Sequence, residues 1–330
     1  MVGVFGLGLA QAEAYQVPGF PPFAPEPQLL EILKVTDDTV LVRHGYGETA
    51  IPRAPESILA ADETTLDFLL ALGITPVAVT SYGHELPSHL AERASGVTVI
   101  PVTGGPAVAL EAILAQAPDL IIGYEHLGGN AAPELFAQLS RIAPTVSFLA
   151  PPENAWRSAL PLLAEIFGVP DVSPQLLSTF EAQRAGHRAA LASALGEATV
   201  SFVVIYPRLI RLYGVGYVVA GLGYIPHNVT APLYRELGLR PGPEVARLTR
   251  DTGWADISWE LLAEIEADHL LVFTTLEPTD LTGNPVWALI PAAQKGQAHI
   301  VTEDSIWLGG YWGNLNRMAF WTSVLTGAGP

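Results

Sequence analysis

The residues best placed to do chemistry are aromatic, hydroxylic and guanidinium groups that gather where short β-rich runs stop. Ligands of open α/β sheets bind beyond the carboxyl ends of strands. In the first half of the chain that rule selects Asp62-Glu63, Ser81-Tyr82-Gly83-His84, Thr103-Gly104-Gly105 and Tyr124-Glu125-His126. In the second half it selects Tyr206 through Tyr213 with Arg208 and Arg211, then Thr274-Thr275, and Trp307 just past Glu303-Asp304-Ser305. Trp254 stands ahead of a helix that starts at Ser258. Such a mixture grips a large, partly apolar ligand, because rings give contact area with few torsions to freeze and arginines meet oxygen anions. Any one of these rings would serve equally well in a core, and it is their clustering at strand ends that points to a site. Direct metal binding by His84, His126 and Glu125 is the alternative chemistry.

Catalysis finds little support. No G-x-S-x-G elbow, P-loop or H-E-x-x-H occurs, and no serine is placed for a triad. GLGLAQ and GVGYVVAG are glycine-rich, but neither follows a strand and opens a helix as a dinucleotide fold requires. The chain reads as no enzyme, with no catalytic residue to name.

Two glutamates stand apart from this set. Glu111 in LEAIL and Glu260 in WELLA are each expected in the first turn of a helix, where a carboxylate offsets the dipole by about 0.3–1 kcal/mol. Ser258 is a natural N-cap for the second helix. Eight residues after Glu111 comes Asp119 and the strand LIIG, and eight after Glu260 comes Asp268 and the strand LLVF. The echo suggests two related halves.

The elements that must position these groups alternate regularly. SILAAD (57–62), VAVTSY (77–82), VTVIPV (97–102), LIIGY (120–124) and TVSFLA (145–150) read as strands, with the helical run TTLDFLLALG after the first. This is the pattern of a parallel α/β sheet. Trp156–Gly168 and Pro174–Gly196 read as two helices, the second spanning about 33 Å at the helical rise and long enough to bridge two lobes. Alternation then resumes with VSFVVIY (200–206), LLVFTT (270–275) and AHIVTE (298–303), and closes on a helix from Asn314 to Leu325. The proline-rich stretch 15–27 reads as an extended lead-in without a fold of its own.

Composition narrows the partners. A formal charge of −17 with two lysines in 330 residues argues against nucleic acid, which needs a basic surface. The chain is 49% apolar and only 15% charged, enough to bury the cores of two lobes. Cysteine is absent, which removes disulfides and thiolate metal sites. The opening MVGVFGLGLAQAEA joins a short apolar run to an A-x-A signature at Ala12-Glu13-Ala14, as at the end of a secretory signal cut before Tyr15. That predicts export.

From about Val42 to Leu325 the chain resembles the class III substrate-binding proteins that serve iron–siderophore and vitamin B12 importers. VRHGYGETAIPRAPESILAAD is similar to that family's first strands, and TTLDFLLALGITPVAVTSYG to its first helix and second strand. LEAILAQAPDLIIG is its most specific signature, and LFAQLSRIAPTVSF and NPVWALIPAAQKGQAHIVTEDSIW match later segments. The resemblance implies an α/β fold of two Rossmann-like lobes joined by a single long helix, with the ligand cleft between lobes and a stiff hinge. The expected divisions are a signal remnant (1–14), a lead-in with first strands (15–54), an N-terminal lobe (55–152), a helical linker (153–197) and a C-terminal lobe (198–330).

It also implies a monomeric periplasmic or cell-surface receptor that needs no cofactor and hands a ferric siderophore, iron already chelated, to the permease dimer of an ABC importer. By motif position the docking carboxylates are Glu111 and Glu260. Trp307 matches a tryptophan that hydroxamate receptors place against their ligand, Trp254 lies near another, and Arg211 and Tyr213 fall where ligand oxygens are often held. With Tyr82, His84, Tyr124, His126 and Arg208 they form the expected binding set. The family's hydroxamate receptors carry an arginine in the loop where this chain has only Thr103-Gly104-Gly105-Pro106, and the stretch 217–230 is unusual, so siderophore class stays open. Haem, cobalamin or bare ferric iron are alternative ligands, and a siderophore-modifying enzyme is the alternative class.

Overall fold

The computed structural model describes residues 17–83, 85–102, 106–124, 133–149, 155–219, 223–302, 307 and 309–327. Its contacts divide the chain into two compact units, one of residues 26–196 with 301–330, the other of 197–300 with the N-terminal segment to Pro25. No helix of the described residues is long and apolar enough to cross a membrane.

The larger unit opens with an antiparallel meander of β1 (Glu31–Val35), β2 (Thr39–His44) and β3 (Gly47–Pro52). Five strands then form a wholly parallel sheet: β4 (Ile58–Ala60), β5 (Ala78–Ser81), β6 (Thr98–Pro101), β7 (Leu120–Gly123) and β8 (Thr145–Ser147), in the order β6-β5-β4-β7-β8. Central strands such as Leu120–Gly123 are buried along their whole length, as uninterrupted apolar runs require. Helices α1 (Glu63–Ala71), α2 (Ser88–Ala91), α3 (Pro106–Ala115), α4 (Pro133–Leu139), α5 (Trp156–Ile166) and α6 (Val172–Leu195) complete the layers. Leu59, Ala61 and Ile121 meet Ile113 of α3 and Leu139 of α4 in one core cluster.

The helical stretch expected to stand as a linker packs within this unit, and so does the closing helix Tyr311–Thr326. The reason is apolar: Trp156 of α5, Phe180 of α6 and Tyr311 are buried against one another, with centroids 4.3–6.4 Å apart. A buried carboxylate locks the same contact. Asp67 of α1 accepts the N–H groups of Trp312 (2.9 Å) and Gly313 (2.7 Å), the amides left open at a helix start. Gly310 makes this approach feasible, because a Cβ there would lie 2.5 Å from Asp67 Cγ. Burial raises the Asp67 carboxyl to about 7, against the opposing pull of those amides and of buried Arg317.

The second unit is mixed. Strands β9 (Thr199–Tyr206), β10 (Leu209–Tyr213), β14 (Trp254–Ile257), β15 (His269–Thr274) and β16 (Ala298–Val301) lie in the order β14-β10-β9-β15-β16, and β13 (Arg240–Pro241) pairs with the start of β9. Between them, β11 (Gly216–Val219) and β12 (Gly223–Pro226) form a hairpin. β9 and β15 are parallel, whereas β10 and β14 extend the sheet antiparallel. Helices α7 (Pro243–Thr249) and α8 (Trp259–Leu262) follow β13 and β14.

The lead-in is better held than its composition suggested. Val17 and Phe20 are buried, Phe23 stacks on Tyr224 of the hairpin at 5.6 Å, and Ala24 N–H donates to the Tyr224 carbonyl at 2.7 Å. Prolines keep the segment out of helix and sheet, but its rings still find a surface to cover.

Candidate functional site

The stretch from Tyr206 to Tyr213, expected as a loop at a strand end, is instead a tight turn followed by β10. Leu209 pairs with Tyr206 and Tyr213 with Phe202, so Arg211 and Tyr213 sit on a strand face. Arg208 remains in the turn and is exposed. β14 then pairs with β10 in the register Tyr213↔Trp254 and Arg211↔Asp256. Residues two apart share a face, so Arg211, Tyr213, Trp254 and Asp256 form one patch, while buried Ile210 and Leu212 face the other way.

Within the patch Arg211 and Asp256 make a two-pronged pair, Nε to Oδ1 at 2.6 Å and Nη2 to Oδ2 at 3.0 Å. This contact holds the Asp256 carboxyl below the usual range and pushes the guanidinium up. The Arg211 guanidinium also lies 5.5 Å from the centre of the Trp254 ring. His227, just past the hairpin, fills the angle between Tyr213 (4.8 Å), Tyr217 (5.8 Å) and Trp254 (6.3 Å), all edge-on. Its Nδ1 accepts the Val229 N–H at 3.3 Å, which leaves the proton on Nε2. Burial first, then the Arg211 charge, lowers the ring to about 4, so it is neutral at neutral pH. Burial likewise raises the Tyr213 hydroxyl. Three expected residues are thus brought together, and His227, Tyr217 and Asp256 join them. The signals for the newcomers were the unusual 217–230 stretch and the period-2 spacing of Trp254 and Asp256 opposite a basic strand.

In the larger unit the strand-end acids prove to be supports. Asp62 caps α1 by accepting the Thr65 N–H at 2.6 Å, and its second oxygen accepts the Tyr124 N–H at 2.8 Å. Gly123 permits that approach, since a Cβ there would stand 2.8 Å from Asp62 Oδ2. Glu63 accepts the Ser81 hydroxyl at 2.6 Å, and Ser81 Oγ in turn accepts the Gly83 N–H at 3.1 Å. These buried groups fix the bases of the two turns that carry Tyr124, half-buried, and Tyr82, 59% exposed. Trp307 is half-buried. His84 and His126 lie outside the described residues, as does Glu125. Thr274 leaves the candidate set: its hydroxyl donates to the Ile205 carbonyl at 2.8 Å and accepts the Leu276 N–H. Among the described residues no cluster of three or more metal-ligating side chains occurs.

Both glutamates are exposed. Glu260 lies in the first turn of α8, where Ser258 caps the helix by accepting the Leu261 N–H at 3.3 Å and a hydrogen bond to the Ser258 side chain holds the Glu260 carboxyl low. Glu111 does not lie in a first turn. α3 begins at Pro106, five residues earlier than the acid, so Glu111 is mid-helix and has no capping role. The aspartates of the echo do match. Asp119 accepts the N–H groups of Glu56 (2.7 Å) and Ser57 (3.1 Å) at the start of β4, and Asp268 accepts the N–H and hydroxyl of Thr199 (2.9 Å each) at the start of β9. Each ties its own strand, β7 or β15, to the parallel neighbour.

One unit has a parallel sheet with supported strand-end turns and the other a sheet with a ring-and-guanidinium face, and both belong to the α/β class whose ligands are held at such places. Residues 58–304 match the periplasmic binding protein family, and the chain belongs to it. The family is one of transport-linked binding proteins rather than enzymes. Over 285 residues the chain is 27% identical to a probable siderophore-binding lipoprotein of Bacillus subtilis, YfiY, covering 82% of each protein. Among solved structures it is similar to a FhuD-fold component of a ferrichrome ABC transporter from Bacillus subtilis (TM-score 0.71, 18% identity, 86% of this chain and 98% of that one). It is also similar to FhuD2 of Staphylococcus aureus with bound ferrioxamine B (TM-score 0.65, 22% identity, 83% and 99%).

Proposed function

We propose that this chain is an exported receptor that captures a ferric siderophore and delivers it to the permease of an ABC importer. The observation that carries the reading is the patch of Arg211, Tyr213 and Trp254, fixed on two paired strands rather than on a loop, with His227 packed edge-on against its rings. Iron chelates are bulky and partly apolar, with oxygen-rich edges. Rings supply contact area for the bulk, and a guanidinium and a hydroxyl meet the oxygens. Tyr82, His84, Tyr124, His126, Arg208 and Trp307 complete the proposed lining. Iron stays with its chelator, so no resident metal is required.

Glu111 and Glu260 are the proposed docking carboxylates. Both are exposed, and Glu111, with no local partner role in its helix, is available for a cationic partner. Fluorescence titration against ferric siderophores, haem and cobalamin tests the ligand, with saturable quenching expected for siderophore alone. In vesicles holding the cognate importer, Glu111→Arg with Glu260→Arg should abolish uptake while chelate affinity is unchanged. Uptake that survives the double reversal removes both residues from the docking role.

A further inference from the structure

The far edge of the smaller unit's sheet carries a pair of histidines that the receptor reading does not use. In the order β14-β10-β9-β15-β16 the ring-and-guanidinium patch lies on the first two strands, and His269 and His299 lie on the last two, with β9 between. We propose that these two rings form a chelating site for a late divalent transition-metal ion, Cu²⁺ above all, held by His269 Nδ1 and His299 Nε2.

The two nitrogens meet at 3.1 Å. The ring planes lie within 10° of each other, and the centroids are 5.4 Å apart, which exceeds the nitrogen contact by just two ring radii. The rings are therefore coplanar and head to head rather than face to face. Such a contact is an N–H···N hydrogen bond, in which one nitrogen presents a lone pair and the other carries the proton. The outer nitrogens, His269 Nε2 and His299 Nδ1, are open to solvent. Metal binding then costs no net proton. The donor ring shifts its hydrogen from the inner nitrogen to the outer one, through water, and both inner lone pairs become available to the cation.

Two imidazoles in cis positions on a metal stand about 2.9–3.4 Å apart, nitrogen to nitrogen, for bonds of about 2.0–2.1 Å at angles of about 90–109°. The pair already has that separation. Each ring has only to swing about its side-chain torsions until the lone pairs converge beside the contact axis instead of along it. The backbones beneath are fixed. Asp268 ties the start of β15 to Thr199, and the Leu270 N–H donates to the Gln297 carbonyl at 3.0 Å, joining β15 to the strand of His299. Ligands carried on bonded strands lose little freedom when they close on an ion. Asp268 adds a negative charge beside His269, partly offset by Lys295. Two protein ligands leave the remaining positions to water. Imidazole suits copper, nickel and zinc, and the stability order among these peaks at Cu²⁺.

The test is a calorimetric titration of the full chain with Cu²⁺, Ni²⁺, Zn²⁺ and Mg²⁺, joined to electron paramagnetic resonance of the Cu²⁺ form. One equivalent of Cu²⁺ should bind at least about tenfold tighter than Ni²⁺ or Zn²⁺, Mg²⁺ should not displace it, and its spectrum should show coupling to two imidazole nitrogens. His269→Gln and His299→Gln should each weaken Cu²⁺ by at least about tenfold, whereas His187→Gln, on α6 of the other unit, should leave it unchanged. Cu²⁺ affinity that survives either substitution at the pair, or the lack of a one-equivalent site, overturns the proposal and reduces the contact to a hydrogen bond. Should neither variant fold, the wild-type chain decides the matter. One equivalent of Cu²⁺ should broaden the amide signals of His269, Leu270 and His299 ahead of all others, and broadening centred elsewhere is the contrary result. The siderophore reading stands or falls separately from every one of these outcomes.

Discussion

The two units solve the same problem with opposite materials. In the larger one the parallel sheet ends in turns, and turns need struts, so Asp62, Glu63 and Ser81 are buried to hold the segments that carry Tyr82 and Tyr124. In the smaller one the polar groups lie on the sheet itself, because β10 and β14 continue it antiparallel and turn alternate side chains outward. A strand face needs no strut, since the ladder already fixes it. The lesson is local: candidate groups displayed on loops rest on buried acids, and those displayed on paired strands rest on the ladder.

That contrast can be broken at several points. The largest effect should come from Asp67→Ala, which strands the amides of Trp312 and Gly313 and removes a negative charge whose field Arg317 shares. A loss of about 3 kcal/mol is expected from urea unfolding. A loss below about 1 kcal/mol would show that the larger unit does not depend on buried charge.

The same residue should give a pH signature. Its carboxyl loses its proton near 3.8 when unfolded and near 7 when native. The native state therefore holds the extra proton between those values, and this group's contribution to stability declines as pH rises across that window, then levels. Asp67→Asn should remove that component of the slope, visible in melting temperatures taken from pH 4.5 to 7.5.

The matched aspartates offer a sharper comparison. Asp119→Ala and Asp268→Ala each delete two hydrogen bonds at the start of a central strand, so each should cost about 1–2 kcal/mol, equal to within about 0.5. A clear inequality would mean that the echo is one of sequence only. The smallest effect belongs to the patch: Asp256→Ala removes a half-exposed ion pair and should cost about 0.5 kcal/mol or less. By denaturation the smaller unit should hardly register the change.

Much of this was legible from sequence where burial sets the pattern. The strands at 58–60, 78–81, 98–101, 120–123 and 145–147 fall inside the runs expected for them, and all but the edge strand 98–101 are buried along their whole length, which leaves an unmistakable apolar word. The long helix was also visible, running from Val172 to Leu195. What stayed hidden were pairings. Nothing in IRLYG or WADI alone says that they lie side by side, since both are short, mixed and half-exposed, and only the ladder joins Arg211 to Asp256. Glu111 was misplaced because PAVAL, although a good helix former, offers no start signal except Pro106. The lead-in was misjudged for the opposite reason: proline excludes regular structure but does not prevent Phe20 and Phe23 from packing.

The route of the chain has a consequence for biogenesis. The unit that holds residues 26–196 takes its closing helix from Tyr311–Thr326, so its first strands must wait for a helix that is made only after the whole of 197–300. The middle segment, 197–300, needs only itself and an already synthesised leader. Ripening should thus run from the centre outward, and a chain cut short before Tyr311 should leave Asp67, Trp156 and Phe180 without their cover.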